Sequence, residues 1–317
     1  MTMIFFLEIL TTLSFFYLIY VYAWYPLVLI ALSSLFKPRG VSKKPVRPMV
    51  SLIVSCYNEE AVIREKLNNC LSLKYPTGKL EIMVVSDAST DSTDDVVKEF
   101  AENRVRLIRQ SERLGKTLGL NLAVPLSQGE IIIFSDANSI YEHDAIIKLV
   151  ENFGDESVGY VVGEARYSDS SSAAGKSENT YWQYEILLKK MESSLHSIVG
   201  GDGAIYAIRK ELYEELLVTD INDFVNPLQI IAKGYRGVYE PDAICWEDTA
   251  GSFKKEFKRK VRIVNRSFSG LMRVRSVLNP FKSGFFSFEI ISHKLLRWLA
   301  PVFMIFIGLS SLILGVS

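Results

Sequence analysis

The stretch Gly129 to Ser139, "GEIIIFSDANS", decides the fold: four apolar residues, Ile131 to Phe134, run into Asp136 and, two positions later, Asn138. A short apolar run that stops at acidic and amide oxygens reads as a buried strand. Such a strand delivers hard ligands to the carboxyl edge of a sheet, where α/β proteins bind their ligands. The chemistry suits a divalent cation carrying phosphates. Asp and Asn after a strand are also ordinary turn and helix-cap residues, so the reading rests on what surrounds it.

Working outward, the same pattern recurs. "MVSLIVSCY" runs into Asn58, Glu59 and Glu60, and "LEIMVVSD" ends at Asp87, with helical spacing in "EEAVIREKLNNCLSL" and "DDVVKEFAEN". "RVRLIRQ" adds a strand, with "LGLNLAVPLS" helical between it and the opening stretch. This alternation predicts a mostly parallel sheet with helices on both faces. Three acidic strand ends then meet at one edge. Beyond Glu142, "VGYVVGEA" and "AIYAIRK" read as strands, Ser177 to His196 as a long helix, and "SDSSSAAGKS" as a loop.

The ends of the 317-residue chain are different. Ile9 to Phe36 and Trp298 to Ser317 carry no charged side chain, and each is long enough to cross a hydrocarbon core of about 30 Å as a helix. A cleaved signal peptide is the rival for the first. The residues ahead of it carry only Glu8 and no positive charge, which favours a retained anchor. Basic residues crowd behind the first span (Lys37, Arg39, Lys43, Lys44, Arg47) and ahead of the second (Lys294, Arg297), so the intervening domain is expected in the cytoplasm. The expected divisions are an anchor at 1–36, a basic linker at 37–48, a catalytic domain at 49–275, an interfacial segment at 276–294 and a second span at 295–317.

Cys56, Cys70 and Cys245 are too scattered for a disulfide framework or a zinc site. The formal net charge of zero argues against a nucleic-acid binder. Lys254 to Arg275 is strongly basic, as a solvated helix face, a contact with anionic lipid or a phosphate site would be. No Gly-x-Gly-x-x-Gly follows the first strand and no Gly-Lys-Ser/Thr loop is present, which leaves nicotinamide and Walker-type ATP sites unsupported.

In order, "VSLIVSCYNEE", "VVSDASTDST", "RLGKTLGLNLA" and "IIIFSDANS" resemble the nucleotide-sugar half of family 2 glycosyltransferases. "GGDGAIYAIRKELY", "INDFVNPLQIIAKGYRGVYEP" and "KRKVRIVNRSFSGL" resemble the acceptor half of its membrane synthases for cellulose, hyaluronan and poly-N-acetylglucosamine. The resemblance implies a GT-A fold flanked by transmembrane helices, a UDP-sugar donor and Mg²⁺ or Mn²⁺. It implies a glycan or lipid-linked acceptor, and partner copies or synthase subunits. It places Asp87 on the uridine, Tyr57 and Glu59 beside the base, Lys116 near phosphate, and Asp136 and Asn138 at the metal. Asp202 would lie near the acceptor sugar, and Arg259 and Arg262 on a helix closing over the diphosphate. Asp223 would be the general base; the alternative is that it caps a helix beginning near Phe224. Asn138 departs from the usual acid, and Ile263 stands where relatives carry Trp. Runner-up readings are a polyprenyl-phosphate glycosyltransferase and a silent nucleotide-sugar-binding subunit.

Overall fold

The computed structural model describes residues 2–167, 173–247 and 253–316. Its nucleus is four parallel strands: β1 (Val50–Cys56), β2 (Leu80–Ser86), β3 (Val105–Arg109) and β4 (Ile131–Asp136). Cys56 pairs with Ser86, Ser86 with Arg109, and Ser55 with Asp136, so the four carboxyl ends finish level. Being covered on both faces, these strands are nearly continuous in apolar residues.

Completing the sheet are β5 (Ile140–Tyr141), β6 (Val158–Tyr167), β7 (Tyr206–Arg209) and β8 (Arg236–Glu247), in the spatial order β3-β2-β1-β4-β7-β6-β8-β5. Strand β7 runs antiparallel to β4 and β6, and β5 antiparallel to β8. The sheet is therefore mixed. Its amino-terminal half is the expected parallel unit, and the less regular pattern beyond Glu142 corresponds to the antiparallel part.

Helices α1 (Thr2–Ile19) and α2 (Tyr25–Leu35) join through a π-turn at Tyr20–Trp24. On the domain lie α3 (Ile63–Ser72), α4 (Thr93–Lys98), α5 (Lys116–Leu126), α6 (Ala145–Glu151), α7 (Ala173–Leu195), α8 (Asn222–Ala232) and α9 (Phe253–Arg273). The chain closes with α10 (Pro280–Ser283), α11 (Phe285–Ile290), a second π-turn (Ile291–Leu295) and α12 (Leu296–Val316). Helix α7 begins four residues before the expected Ser177, so the tail of the Ser-rich loop is helical; its residues 168–172 lie outside the described ones.

Ile4–Leu35 and Phe285–Gly315 are each long and apolar enough to cross a membrane, and only 11% of either window is buried. A soluble core helix would be covered, so these two read as spans. They pack side by side: Tyr17 stacks on Phe303 at 3.9 Å, and its hydroxyl donates to the Leu296 carbonyl. The root of the pair is fixed to the domain. Tyr25 and Leu29 are buried against Leu188 and Met191 of α7, and His293 sits between Glu192 and Glu185. Lys294 and Arg297, the basic flank of the second span, also pair with Glu185. Phe286 and Ile290 join the core shared with Phe134 and Tyr206, so the segment expected to be interfacial packs partly into the domain.

Candidate active site at the carboxyl edge of the sheet

Where β1 and β2 end, the chain turns through left-handed backbone at Asn58 (φ 54°) and Ala88 (φ 56°). Such angles are disfavoured for residues with a Cβ and persist where the surroundings impose them. Here the two loops hold one another: Asp87 N donates to the Cys56 carbonyl, Asn58 N to Ser89 Oγ, and Thr90 N to Asn58 Oδ1. The result fixes Asp87, whose Oδ1 accepts from Gln110 Nε2 (2.7 Å) and from the backbone N–H groups of Leu114 (2.8 Å) and Gly115 (2.9 Å). Gly115 takes φ 93° as it enters α5, a turn that favours glycine.

A cavity of about 370 Å³ opens above these ends, with Tyr57, Glu59, Asp87, Lys116, Asp136 and Asn138 among its lining residues. Six residues expected at the donor site are thus brought together. The Arg113 guanidinium lies 3.8 Å from the centre of the Tyr57 ring. Burial, then the charges of Asp136 and Asp91, raise the Glu59 carboxyl above its ordinary range.

Beside the cavity the charges become dense. Lys116 Nζ pairs with Asp136 Oδ1 at 2.5 Å. A methyl group placed on Gly203 would lie 3.2 Å from Asp223 Oδ2, 3.4 Å from Asp136 Oδ2 and 3.5 Å from Lys116 Nζ, so both carboxylates and the amine converge on one small space. Only a residue without a Cβ leaves that space open. Burial pushes the Asp223 carboxyl up to about 6; Lys116 opposes this, and Asp202 and Asp136 add to it. Burial also lowers the Lys116 amine, but Asp136 and Asp223 outweigh it and the amine ends above its ordinary value. Asp223 stands in the first turn of α8, whose cap position is Ile221 with no side-chain capping bond; the helix begins at Asn222, two residues before the expected Phe224.

Asp202 lies in the turn before β7, paired with Lys189 of α7 at 3.4 Å and accepting from Ala204 N. It does not line the donor cavity; it adjoins Gly203, and its charge adds to the rise of the Asp223 carboxyl. Arg259 and Arg262 ride on α9 and are not among the cavity's lining residues; residues 248–252, which lead into that helix, lie outside the described ones. His143 turns away, its Nδ1 3.1 Å from the Ser72 carbonyl oxygen. All three cysteines are buried, and Cys56 also lines the cavity.

Two site residues escaped the sequence reading. Gln110, at the end of β3, orients Asp87; the rule that flagged the other strand ends applied to it as well. Glu247, at the end of β8, accepts from Ser139 Oγ at 2.7 Å, and burial with the charges of Asp202 and Asp136 raises its carboxyl to about 7. Its strand pairs with β6 and β5, two strands away from the parallel nucleus, which no local pattern announced.

A divalent cation fits this arrangement as a ligand shared with a diphosphate. Asp136, Asp223 and Glu247 act on Lys116, Asp202 adds its charge to Asp223 and Glu247, and these last two carboxyls are driven towards protonation, so added positive charge relieves the cluster. Among the described residues no group of three or more His, Cys, Asp or Glu is arranged to hold a metal alone. Asp136 and Asn138 would be its protein ligands, with phosphate oxygens for the rest.

The profile described as "Glycosyl transferase family 2" matches residues 51–217, more than half of the chain. The chain belongs to glycosyl transferase family 2. Curated relatives include the poly-beta-1,6-N-acetyl-D-glucosamine synthases of Staphylococcus aureus, 27% identical over 233 residues, and of Staphylococcus epidermidis, 25% identical over 231. These matches cover 71% of this transferase and 56% of the synthases, so the chain spans little more than half their length. Among solved structures, the mannosyltransferase PcManGT from Pyrobaculum calidifontis, in complex with GDP-Man and Mn²⁺, matches 95% of this chain and 87% of its own, with a TM-score of 0.78 and 25% identity. Staphylococcus aureus TarS 1-349 in complex with UDP-GlcNAc matches 73% of this chain and 66% of its own, with a TM-score of 0.53 and 14% identity, a likeness of fold. The transferase thus has the mixed α/β GT-A fold that the family resemblance implied.

Proposed function

We propose that this transferase moves a sugar from a UDP-sugar, with Mg²⁺ or Mn²⁺, onto a glycan or lipid-linked acceptor at the cytoplasmic face of a membrane, inverting the anomeric centre. The observation that carries the reading is the convergence of Asp136, Lys116 and Asp223 on the space above Gly203, at the edge of the cavity. Asp87, held by Gln110 and two backbone amides, fits the nucleoside, with Tyr57 and Glu59 beside it. Bound there, the metal would stabilise negative charge on the departing diphosphate.

The chain's own groups supply the rest. Asp223, with its carboxyl near 6, is ionised at neutral pH and remains basic enough to accept a proton. The acceptor oxygen forms its bond to the anomeric carbon as Asp223 takes the hydroxyl proton, and the bond from that carbon to the diphosphate breaks. One base and one displacement invert the centre. Lys116 would leave Asp136 for a phosphate oxygen, and Asp202 would orient the acceptor. Arg259 and Arg262 would close over the diphosphate if α9 moves towards the cavity.

The acceptor side meets the membrane. Trp298, at the start of α12, packs edge-on against Phe224 at 5.6 Å and lies 6.4 Å from Phe268 of α9. Phe224 is the neighbour of Asp223, which supports an acceptor presented from the bilayer surface. A second donor reading, GDP-mannose, is favoured by the whole-chain likeness to PcManGT. Purified enzyme in lipid, given radiolabelled UDP-glucose, UDP-N-acetylglucosamine or GDP-mannose, tests both. A labelled product in one arm, abolished in Asp136→Ala and kept or raised in Asn138→Asp, supports the assignment. Full transfer in Asp136→Ala overturns it.

A further inference from the structure

Helix α3 turns the residues Ile63, Lys66, Leu67 and Cys70 inward, and all four are buried. Lys66 is fully enclosed. Its Nζ donates to Ser135 Oγ (2.8 Å) and to the Ser139 carbonyl, and lies 4.1 Å from the centre of the Tyr141 ring. No carboxylate pairs with it among the described residues. An amine buried against neutral partners is costly and persists where it does something packing alone does not.

Its two acceptors are the residues on either side of the Asp136–Asn138 pair. One turn along α3, Asn69 reinforces the same contact: its Oδ1 accepts from Tyr141 N (2.9 Å) and its Nδ2 donates to the Tyr141 carbonyl (2.8 Å). The Tyr141 hydroxyl in turn donates to the carbonyl of Ala204, in the turn that carries Asp202 and Gly203. Ser139 Oγ reaches Glu247 on the far side. The fastening therefore joins α3, the 135–141 segment, the acceptor-side turn and β8 behind the candidate metal ligands.

We propose that Lys66 is a positioning residue that clamps both ends of the 135–139 loop from behind, setting the separation of Asp136 and Asn138 for a metal-bound diphosphate. The proposal rests on the metal reading of Asp136. It separates two parts of donor binding, because the Lys66 side chain bonds to the metal loop and, among the described residues, makes no hydrogen bond to Asp87 or the residues that hold it.

The test is calorimetric titration of the full chain, in lipid nanodiscs, with UDP and with GDP, each in EDTA and in Mn²⁺. In Lys66→Met the Mn²⁺-dependent gain in nucleotide affinity is expected to fall at least tenfold, with binding in EDTA within twofold of the parent. Ser135→Ala, which removes one of the two acceptors, is expected to show a smaller loss of the same kind. A Mn²⁺-dependent gain equal to the parent's in both variants overturns the proposal. So does an equal loss in EDTA and in Mn²⁺, which marks a general structural role. If Lys66→Met does not fold, Lys66→Gln and Ser135→Ala decide by the same criteria. A parent chain with no Mn²⁺-dependent gain overturns the metal reading itself and this one with it.

Discussion

As the proposed base, Asp223 combines two demands that are opposed in a folded protein. A base must ionise at working pH, yet burial and the neighbouring Asp202 and Asp136 hold its carboxyl at about 6 against an ordinary 3.8. The native state therefore binds this proton more tightly than the unfolded chain does. Stability from this group is present at pH 4 and is lost as pH rises towards 6. Asp223→Asn is expected to abolish transfer. Above pH 6 it should also stabilise the fold by about 1–3 kcal/mol, with little difference at pH 4, as read by thermal unfolding across that range. Transfer by the parent should fall about tenfold per unit below pH 6. The residues that lay at apolar strand ends, Asp87 and Asp136, were legible because strand and ligand are adjacent in sequence. Glu247 was not, since its meeting with Ser139 depends on how β8 is added across the sheet. Lys66 left a trace that passes easily for a solvated lysine: it occupies a position on the apolar stripe of α3.

At the scale of elements, short turns decide what the strands can do. The turn from Gly200 to Ala204 brings Asp202 and the bare Cα of Gly203 beneath the two carboxylates, while Gly201 N donates to the Asp223 carbonyl at 2.5 Å. Gly203→Ala should leave the melting temperature within a few degrees of the parent and cut transfer at least tenfold, because its methyl enters the space shared by Asp136, Asp223 and Lys116. Normal turnover in this variant would move the reacting atoms elsewhere. The glycines here are plain in the sequence, but not what the turn had to leave empty. Similarly, uncharged apolar runs marked both terminal helices and missed the π-turns, which pass as ordinary helix in a hydropathy pattern.

For the whole molecule, the two spans and the catalytic domain are one packed body. Pro38, Pro45 and Pro48 read as a linker, yet Arg39 N donates to the Ser194 carbonyl and Arg236 donates to the carbonyls of Arg39 and Gly40. The chain is expected to stay in the membrane fraction after an alkaline carbonate wash. A single cysteine introduced at the exposed Glu99, in a chain whose native cysteines stay buried, should react with an impermeant maleimide only after the cells are opened. Labelling of intact cells would reverse the orientation inferred from the basic flanks.

The contact of Trp298 with Phe224 gives this body a fixed altitude. A residue at the mouth of a span touches the neighbour of the proposed base, which ties the height of that carboxylate to the lipid. Bilayer thickness then becomes a variable of the chemistry: lipids that tilt or lift α12 shift the floor on which Asp223 stands.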